Sequence, residues 1–225
     1  MNIGGFQKFS MIDYPDKISS IVFTQGCDFR CGYCHNPELI DFKSGSISES
    51  EIFDFLETRK GKVDAVVITG GEPCLQKGLV EFISKVKSMG FLVKIDTNGN
   101  HTSVLKELLP IVDYIAMDIK APLDKYSSAV SMNVNMDNIL ESIKLIIGGS
   151  VNYEFRTTVV KDQLSKEDIV EIGSMIKCCK LYVLQKFVRS KHIDSGFLKS
   201  ESYNEEWFSD VKKELDKVVN ICLIR

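Results

Sequence analysis

At 225 residues, with 44% hydrophobic and 26% charged side chains, the chain has an ordinary globular composition and length enough to bury a substantial core. A formal net charge of −3 and a pI of about 5.7 argue against broad binding to nucleic acid or to an anionic membrane, which call for a basic surface. No apolar stretch reaches the ~18–20 residues of a membrane span, the N-terminus lacks a signal peptide's layout, and seven cysteines without an export signal point to a reducing, cytoplasmic setting.

Residues 3–17 are punctuated by Gly and Pro and read as a loop or short hairpin leading into the core. Residues 18–24 read as the first strand, and 35–47 as irregular chain. Ser48-Glu49-Ser50-Glu51 opens a helix with a capping-box-like start, followed by Ile52, Phe53, Phe55 and Leu56 at helical spacing. The β-branched run 63–69 is a strand that stops at Gly70-Gly71-Glu72-Pro73. A helix with Leu79, Phe82, Ile83 and Val86 on one face closes at Gly90.

Strand 91–95 then runs into Asp96-Thr97-Asn98-Gly99, and a short helix over 104–109 precedes strand 114–119. Further elements are a helix over 136–147, a strand over 153–160, a helix over 165–177, a strand over 181–187, a charged amphipathic helix over 204–217 and a final strand within 218–224. Strands alternating with helices of 10–15 residues predict βαβ units and a parallel sheet.

The most unusual stretch is Cys27-Asp28-Phe29-Arg30-Cys31-Gly32-Tyr33-Cys34-His35-Asn36. Three thiolates at C-x3-C-x2-C spacing on one loop suit an inorganic centre. Three sulfurs on a four-iron cluster leave one iron open, whereas a structural zinc site is closed by four ligands. A zinc site completed by His35 or a distant cysteine, a disulfide, and chance are the competing readings. Cys74, Cys178, Cys179 and Cys222 are scattered among apolar residues and read as core.

In parallel α/β architectures ligands gather at the C-terminal ends of strands. The cysteine loop, Gly70–Pro73, Asp96–Gly99 and Asp118-Ile119-Lys120 all fall there. Each has a plainer reading: a glycine turn, an Asx-type turn, a charged strand end. His101 and His192 stand in no constellation and read as ordinary. Motifs for P-loop, Rossmann, zinc-protease, hydrolase and zinc-deaminase chemistry are absent.

The C-x3-C-x2-C motif with an aromatic before its last cysteine resembles the radical S-adenosylmethionine (SAM) superfamily. The longer string Gly-Phe-Gln…Ile-Asp-Tyr-Pro…Phe-Thr-Gln-Gly-Cys…Tyr-Cys-His-Asn-Pro-Glu-Leu resembles the activating proteins of glycyl-radical enzymes, most of all those of anaerobic ribonucleoside-triphosphate reductases. The resemblance runs from Gly5 to about Val188. It implies an incompletely closed (β/α)6 radical SAM barrel with a parallel sheet, in a single domain over 1–225: a strap over 1–17, a barrel core over 18–188 and a C-terminal extension over 189–225.

It further implies a four-iron, four-sulfur (4Fe-4S) cluster on Cys27, Cys31 and Cys34. The SAM amino group would lie against Gly70, Gly71 and Glu72, with Asp96, Thr97, Asn98 and Arg156 serving the cofactor. A monovalent cation would be held by Asp96, Thr97, Asp118 and the Ala116 carbonyl; Lys120 is left facing substrate or supporting the site. Reductive cleavage of SAM would then give methionine and a 5′-deoxyadenosyl radical, which removes hydrogen from a glycine of a partner enzyme. A flavodoxin- or ferredoxin-type protein would donate the electron. The N-terminal Gly5–Pro15 stretch is expected near the barrel mouth, as a packed strap or a docking surface. Two rival functions share these residues: a radical SAM enzyme acting on a small molecule, and a non-catalytic zinc- or cluster-binding module.

Overall fold

The computed structural model describes residues 1–189 and 195–225; His192 lies outside them. Eight strands form one sheet in sequence order: β1 (Ile3–Ser10), β2 (Ser19–Thr24), β3 (Ala65–Gly70), β4 (Leu92–Thr97), β5 (Tyr114–Asp118), β6 (Asn152–Val159), β7 (Tyr182–Lys186) and β8 (Cys222–Ile224). Only β1 is antiparallel to its neighbour; every other pairing is parallel. The sheet's two edges, β1 and β8, do not pair, so the barrel stays open.

Helices α1 (Glu49–Glu57), α2 (Leu79–Ser88), α3 (Thr102–Leu108), α4 (Tyr126–Ala129), α5 (Met136–Gly148), α6 (Lys166–Met175) and α7 (Glu205–Leu215) fill the crossovers. Local chemistry starts them. Ser48 and Glu51 form a reciprocal capping box on α1, as Ser165 and Asp168 do on α6. Asn135 and Asn204 cap α5 and α7 through their side chains. On α2, Leu79, Phe82, Ile83 and Val86 are the buried face, and they join Val66, Ile68, Val93 and Ile95 from the outer face of the sheet in one continuous core. Among the described residues no helix is long and apolar enough to cross a membrane.

Side chains alternate across each strand, and the inward set decides where chemistry can occur. At the N-terminal end of the barrel, Ile21, Ala65, Val67 and Tyr114 make a small apolar cluster around Tyr14. Further along β4, β5 and β6 the inward positions turn charged: Lys94 and Asp96 on β4, Asp118 on β5, Glu154 and Arg156 on β6.

The N-terminal segment is the expected hairpin, its first arm β1 pairing antiparallel with β2, but its turn lies away from the mouth. That arm is a full strand, and pairing of Ile3 with Thr24 and Ser10 with Ser19 carries it from the barrel mouth to the opposite end. There Tyr14 packs against Tyr114 with ring centroids 5.7 Å apart, so Asp13-Tyr14-Pro15 plugs the base rather than flanking the mouth. The final strand forms as expected within 218–224: β8 extends the parallel set to seven by pairing with β7. Cys74, Cys179 and Cys222 are buried as expected, but Cys178 is exposed. It sits at φ 62° in the turn out of α6, where its N–H donates to the Val218 carbonyl and its side chain has no core to enter.

Candidate active site

Loops at the C-terminal ends of β2 to β6 enclose a cavity of about 380 Å³, within the range of small-molecule sites. Cys27, Cys31, Cys34, Gly70, Gly71, Glu72, Asp96, Thr97, Asn98, Asp118 and Arg156 all line it, together with His35 and Lys120.

The cysteine loop is held by its own backbone and by Arg30. Arg30 donates to the carbonyls of Cys27 at 2.6 Å and Phe29 at 2.9 Å. The Cys34 N–H bonds the Cys31 carbonyl at 3.0 Å, and the Phe29 N–H points at Cys27 Sγ at 3.4 Å. All seven cysteines are free thiols, which removes the disulfide reading. Among the described residues no three His, Cys, Asp or Glu side chains gather closely enough to share one metal ion. A four-iron cluster instead takes each thiolate on a separate iron, so three soft donors spread around one cavity suit it. Burial, then the charge of Glu72, push the Cys27 thiol up to about 12; iron must therefore displace protons to bind here. His35 is exposed at the rim.

Gly70 and Gly71 owe their identity to the neighbouring chain. Gly70 has φ 115°, and a Cβ there would lie 2.3 Å from the Thr24 nitrogen. A Cβ on Gly71 would lie 2.1 Å from the Gly26 carbonyl oxygen. The close approach is thus to the segment leading into Cys27, not to a ligand alone. Glu72 follows, 1% exposed. Its Oε1 accepts from Thr97 Oγ1 at 2.7 Å and from the Cys74 N–H at 3.0 Å, and its Oε2 from the Asn98 N–H at 2.7 Å. Burial raises its pKa despite these bonds. Among the described residues this carboxylate forms no ion pair, so a buried anionic group facing the cavity has lone pairs to spare for a cationic ligand.

Thr97 spends its hydroxyl on Glu72 and on the Gly99 N–H, which leaves it little for a cation. Asn98 makes an Asx-type turn, accepting from the Asn100 N–H at 2.9 Å, while its Nδ2 donates to Asp28 Oδ1 at 2.8 Å. Asn100 Nδ2 and His101 Nε2 reach Asp28 Oδ2 at 2.8 and 3.0 Å. Asp28 and His101 escaped the sequence reading. His101 is not an ordinary surface residue: with Asn98 and Asn100 it clamps the cysteine loop to the loop after β4. The spacing of Asn98, Asn100 and His101 carried no recognisable signal, because their common partner is 70 residues away.

Arg156 donates through Nε to Asp118 Oδ1 at 2.8 Å and through a terminal nitrogen to Asp96 Oδ2 at 3.1 Å. Lys120 Nζ lies 3.0 Å from Asp118 Oδ2, and Lys94 Nζ 2.8 Å from Asp96 Oδ1. Burial works against ionisation of both carboxyls, but Arg156 with Lys94 holds Asp96 below the usual range, and Arg156 with Lys120 holds Asp118 far below it. Each carboxylate oxygen expected to hold a monovalent cation is therefore already faced by a protein cation. The donor set here does not fit an additional alkali ion.

An open parallel α/β barrel with three cysteine thiols in the loop after its first parallel strand defines a cluster-dependent radical enzyme. The Radical SAM superfamily model matches residues 21–176. A protein of Methanocaldococcus jannaschii named as a glycyl-radical enzyme activating enzyme is 38% identical, over 99% of this chain and 95% of its own. The pyruvate formate-lyase-activating enzyme of Clostridium pasteurianum is 29% identical over 78% of this chain and 76% of its own. In fold the chain is similar to QueE from Escherichia coli, with a TM-score of 0.61, 16% identity, and coverage of 99% of this chain and 92% of the other. The chain belongs to the radical SAM superfamily, within its family of glycyl-radical enzyme activating enzymes. It is an enzyme whose cofactors are a 4Fe-4S cluster and SAM, and whose partner is a glycyl-radical enzyme.

Proposed function

We propose that this chain installs the glycyl radical of an anaerobic ribonucleoside-triphosphate reductase. The observation that carries the site reading is the buried Glu72 carboxylate beside the cysteine loop, which has no ion-pair partner among the described residues. Cys27, Cys31 and Cys34 hold the cluster, and its open iron is left to SAM. Glu72, with the backbone of Gly70 and Gly71, receives the SAM ammonium group. Asn98 fixes the loop against which the nucleoside lies, and Arg156, anchored by Asp96 and Asp118, turns its remaining donors to the SAM carboxylate. When bound and reduced, cluster and SAM together supply one-electron cleavage of the S–C5′ bond. The protein's own task is to orient SAM, exclude water and admit a glycine-bearing loop through the open mouth. Glycine suits the reaction because no side chain blocks its Cα.

The string from Gly5 to Leu39 supports a ribonucleotide reductase as the partner; the pyruvate formate-lyase activators among the relatives make a formate-lyase-type enzyme the second reading. The electron comes, in our reading, from a flavodoxin- or ferredoxin-type donor. The test incubates the reduced, reconstituted chain with SAM and each candidate partner, with deuterium at the partner glycine. A doublet electron paramagnetic resonance signal on the reductase and deuterium in 5′-deoxyadenosine are expected. Signal only on a formate-lyase selects the second reading. SAM cleavage without label from any glycyl-radical enzyme rejects both.

A further inference from the structure

Lys94 is a residue of the charged barrel interior that no motif pointed to. It sits in the apolar strand Leu92–Thr97, 2% exposed, at the inward position two residues before Asp96. Its ammonium has two anchors. One is Asp96 Oδ1 at 2.8 Å; the other is the Asp13 carbonyl oxygen at 2.7 Å, in the segment that plugs the barrel base. The Tyr114 ring lies beneath it, 6.0 Å to the centroid.

Two consequences follow from this placement. Lys94 ties the plug to the cofactor end of the barrel through a continuous chain: Asp13 carbonyl, Lys94, Asp96, Arg156, Asp118, Lys120. It also settles the local charge. Inside the barrel Asp96, Asp118 and Glu154 face Lys94, Arg156 and Lys120, with Arg225 completing Glu154 from the rim at 3.2 Å. Three carboxylates thus meet three barrel cations and Arg225, so no negative charge among them is left over before any metal ion is added. A sodium or potassium ion on Asp96 and Asp118 would enter against three fixed positive groups, each at contact distance from an oxygen it needs. Asp96 Oδ1 receives no well-aligned hydrogen bond, so the Lys94 contact is a charge contact, which is the service an alkali ion would render.

We propose that Lys94 is the resident cation of this cofactor site. It neutralises Asp96 in place of an alkali metal ion and, as a positioning residue, sets the Asp96–Arg156–Asp118 array, so that this chain binds SAM without sodium or potassium. The inference rests on the reading of the cavity as the SAM site.

The test uses the reconstituted enzyme in tetramethylammonium, sodium or potassium chloride at one ionic strength. SAM affinity is measured by equilibrium dialysis, and sodium binding separately by the 23Na resonance linewidth. For the wild type we expect affinities within about twofold across the three salts and no site-specific sodium broadening. In Lys94→Met, affinity should fall by about tenfold or more in tetramethylammonium and recover in part with sodium or potassium, with sodium broadening now present; Lys94→Arg should keep the wild-type indifference to salt. Wild-type SAM affinity that rises several-fold with sodium or potassium overturns the proposal, whatever the variants do, and so does a folded Lys94→Met indistinguishable from wild type in all three salts. A wild-type chain that carries its cluster yet binds no SAM in any salt overturns the cofactor-site reading itself, and this inference with it.

Discussion

Thr97 Oγ1 donates to Glu72 Oε1 at 2.7 Å inside the protein, and this bond makes one rigid unit of two turns that the chain separates by a whole βα unit. The turn after β3 and the turn after β4 cannot move independently while it holds. Glu72 therefore both lines the cavity and staples the site floor, so a binding role and a folding role do not exclude each other.

Substitutions at Glu72 should separate these roles by size. Glu72→Gln keeps the volume but removes the charge and puts an amide N–H where a carboxylate oxygen now accepts. We expect SAM affinity to drop about tenfold or more, as for a lost charge-assisted bond, while the cluster absorbance persists. Glu72→Ala strands three donors, Thr97 Oγ1 and the N–H groups of Cys74 and Asn98, at about 1–3 kcal/mol each if no water replaces them. It should lower the melting temperature as well. Dialysis with labelled SAM and a thermal melt check both; an unchanged SAM affinity in Glu72→Gln would remove the carboxylate from the cofactor site.

The cysteines divide cleanly by position. Cys27, Cys31 and Cys34 line the cavity, whereas Cys74 packs in the core and Cys178 is exposed elsewhere. Alanine at any of the first three should abolish stable iron loading after anaerobic reconstitution, and Cys178→Ala should load like wild type. Because the buried Cys27 thiol stands near 12 when metal-free, loading should also release protons and fall off as the pH is lowered. Iron and sulfide analysis reads this directly; full iron content in Cys31→Ala would defeat the assignment.

Much of this arrangement was legible in the sequence. Strand-ending motifs are local signals, and in a parallel barrel they converge by topology alone, so the cysteine loop, Gly70–Glu72, Asp96–Asn98, Asp118 and Arg156 all met in one cavity. What the sequence hid depends on long-range pairing. The hairpin over 3–17 was expected, but the full length of β1 and the place of its turn depend on pairing with β2. Asp28 and His101 look unremarkable until the fold brings them within 3.0 Å. Lys94 reads as a stray charge in an apolar strand until inward alternation puts it two residues below Asp96. The glycines carry a second constraint that the sequence did not show: close backbone contact with Thr24 and Gly26.

That contact gives a sharp prediction for Gly71. Any Cβ there would press on the Gly26 carbonyl oxygen at 2.1 Å and on Leu39 O at 2.9 Å, and both are main-chain atoms with no rotamer to escape into. Gly71→Ala should cost about 1–3 kcal/mol by overpacking, or roughly 2–4 °C of melting temperature per kcal/mol in a chain of this size. Since Gly26 precedes Cys27, the displacement should reach the cluster loop and reduce iron loading. A Gly71→Ala protein with wild-type melting and iron content would show that the two loops can slide apart freely.

The Asp28–His101 clamp should make the metal-free protein sensitive to pH. Burial pulls the His101 pKa down, but the hydrogen bond it donates to Asp28 and the charges of Glu72 and Asp28 outweigh it, so its pKa is raised above the ordinary 6.5. Burial raises Asp28, and the bonds from His101, Asn100 and Asn98 lower it below 3.8. The signs are opposite. A histidine with a raised folded pKa contributes fully below its unfolded value and loses that contribution as pH rises through the folded value. A carboxylate with a lowered pKa contributes above its unfolded value and loses it only in acid. The clamp is thus strongest between about pH 4 and pH 6.5 and weakens towards pH 9. His101→Gln can still hydrogen-bond Asp28 but carries no charge. Urea unfolding of the metal-free chain at pH 6 and pH 9 should therefore show a fall in stability for wild type that is smaller in His101→Gln, by about 0.5–1 kcal/mol. Equal pH dependence in the two proteins would mean that His101 meets Asp28 as a neutral ring, and that the clamp is held by the asparagines alone.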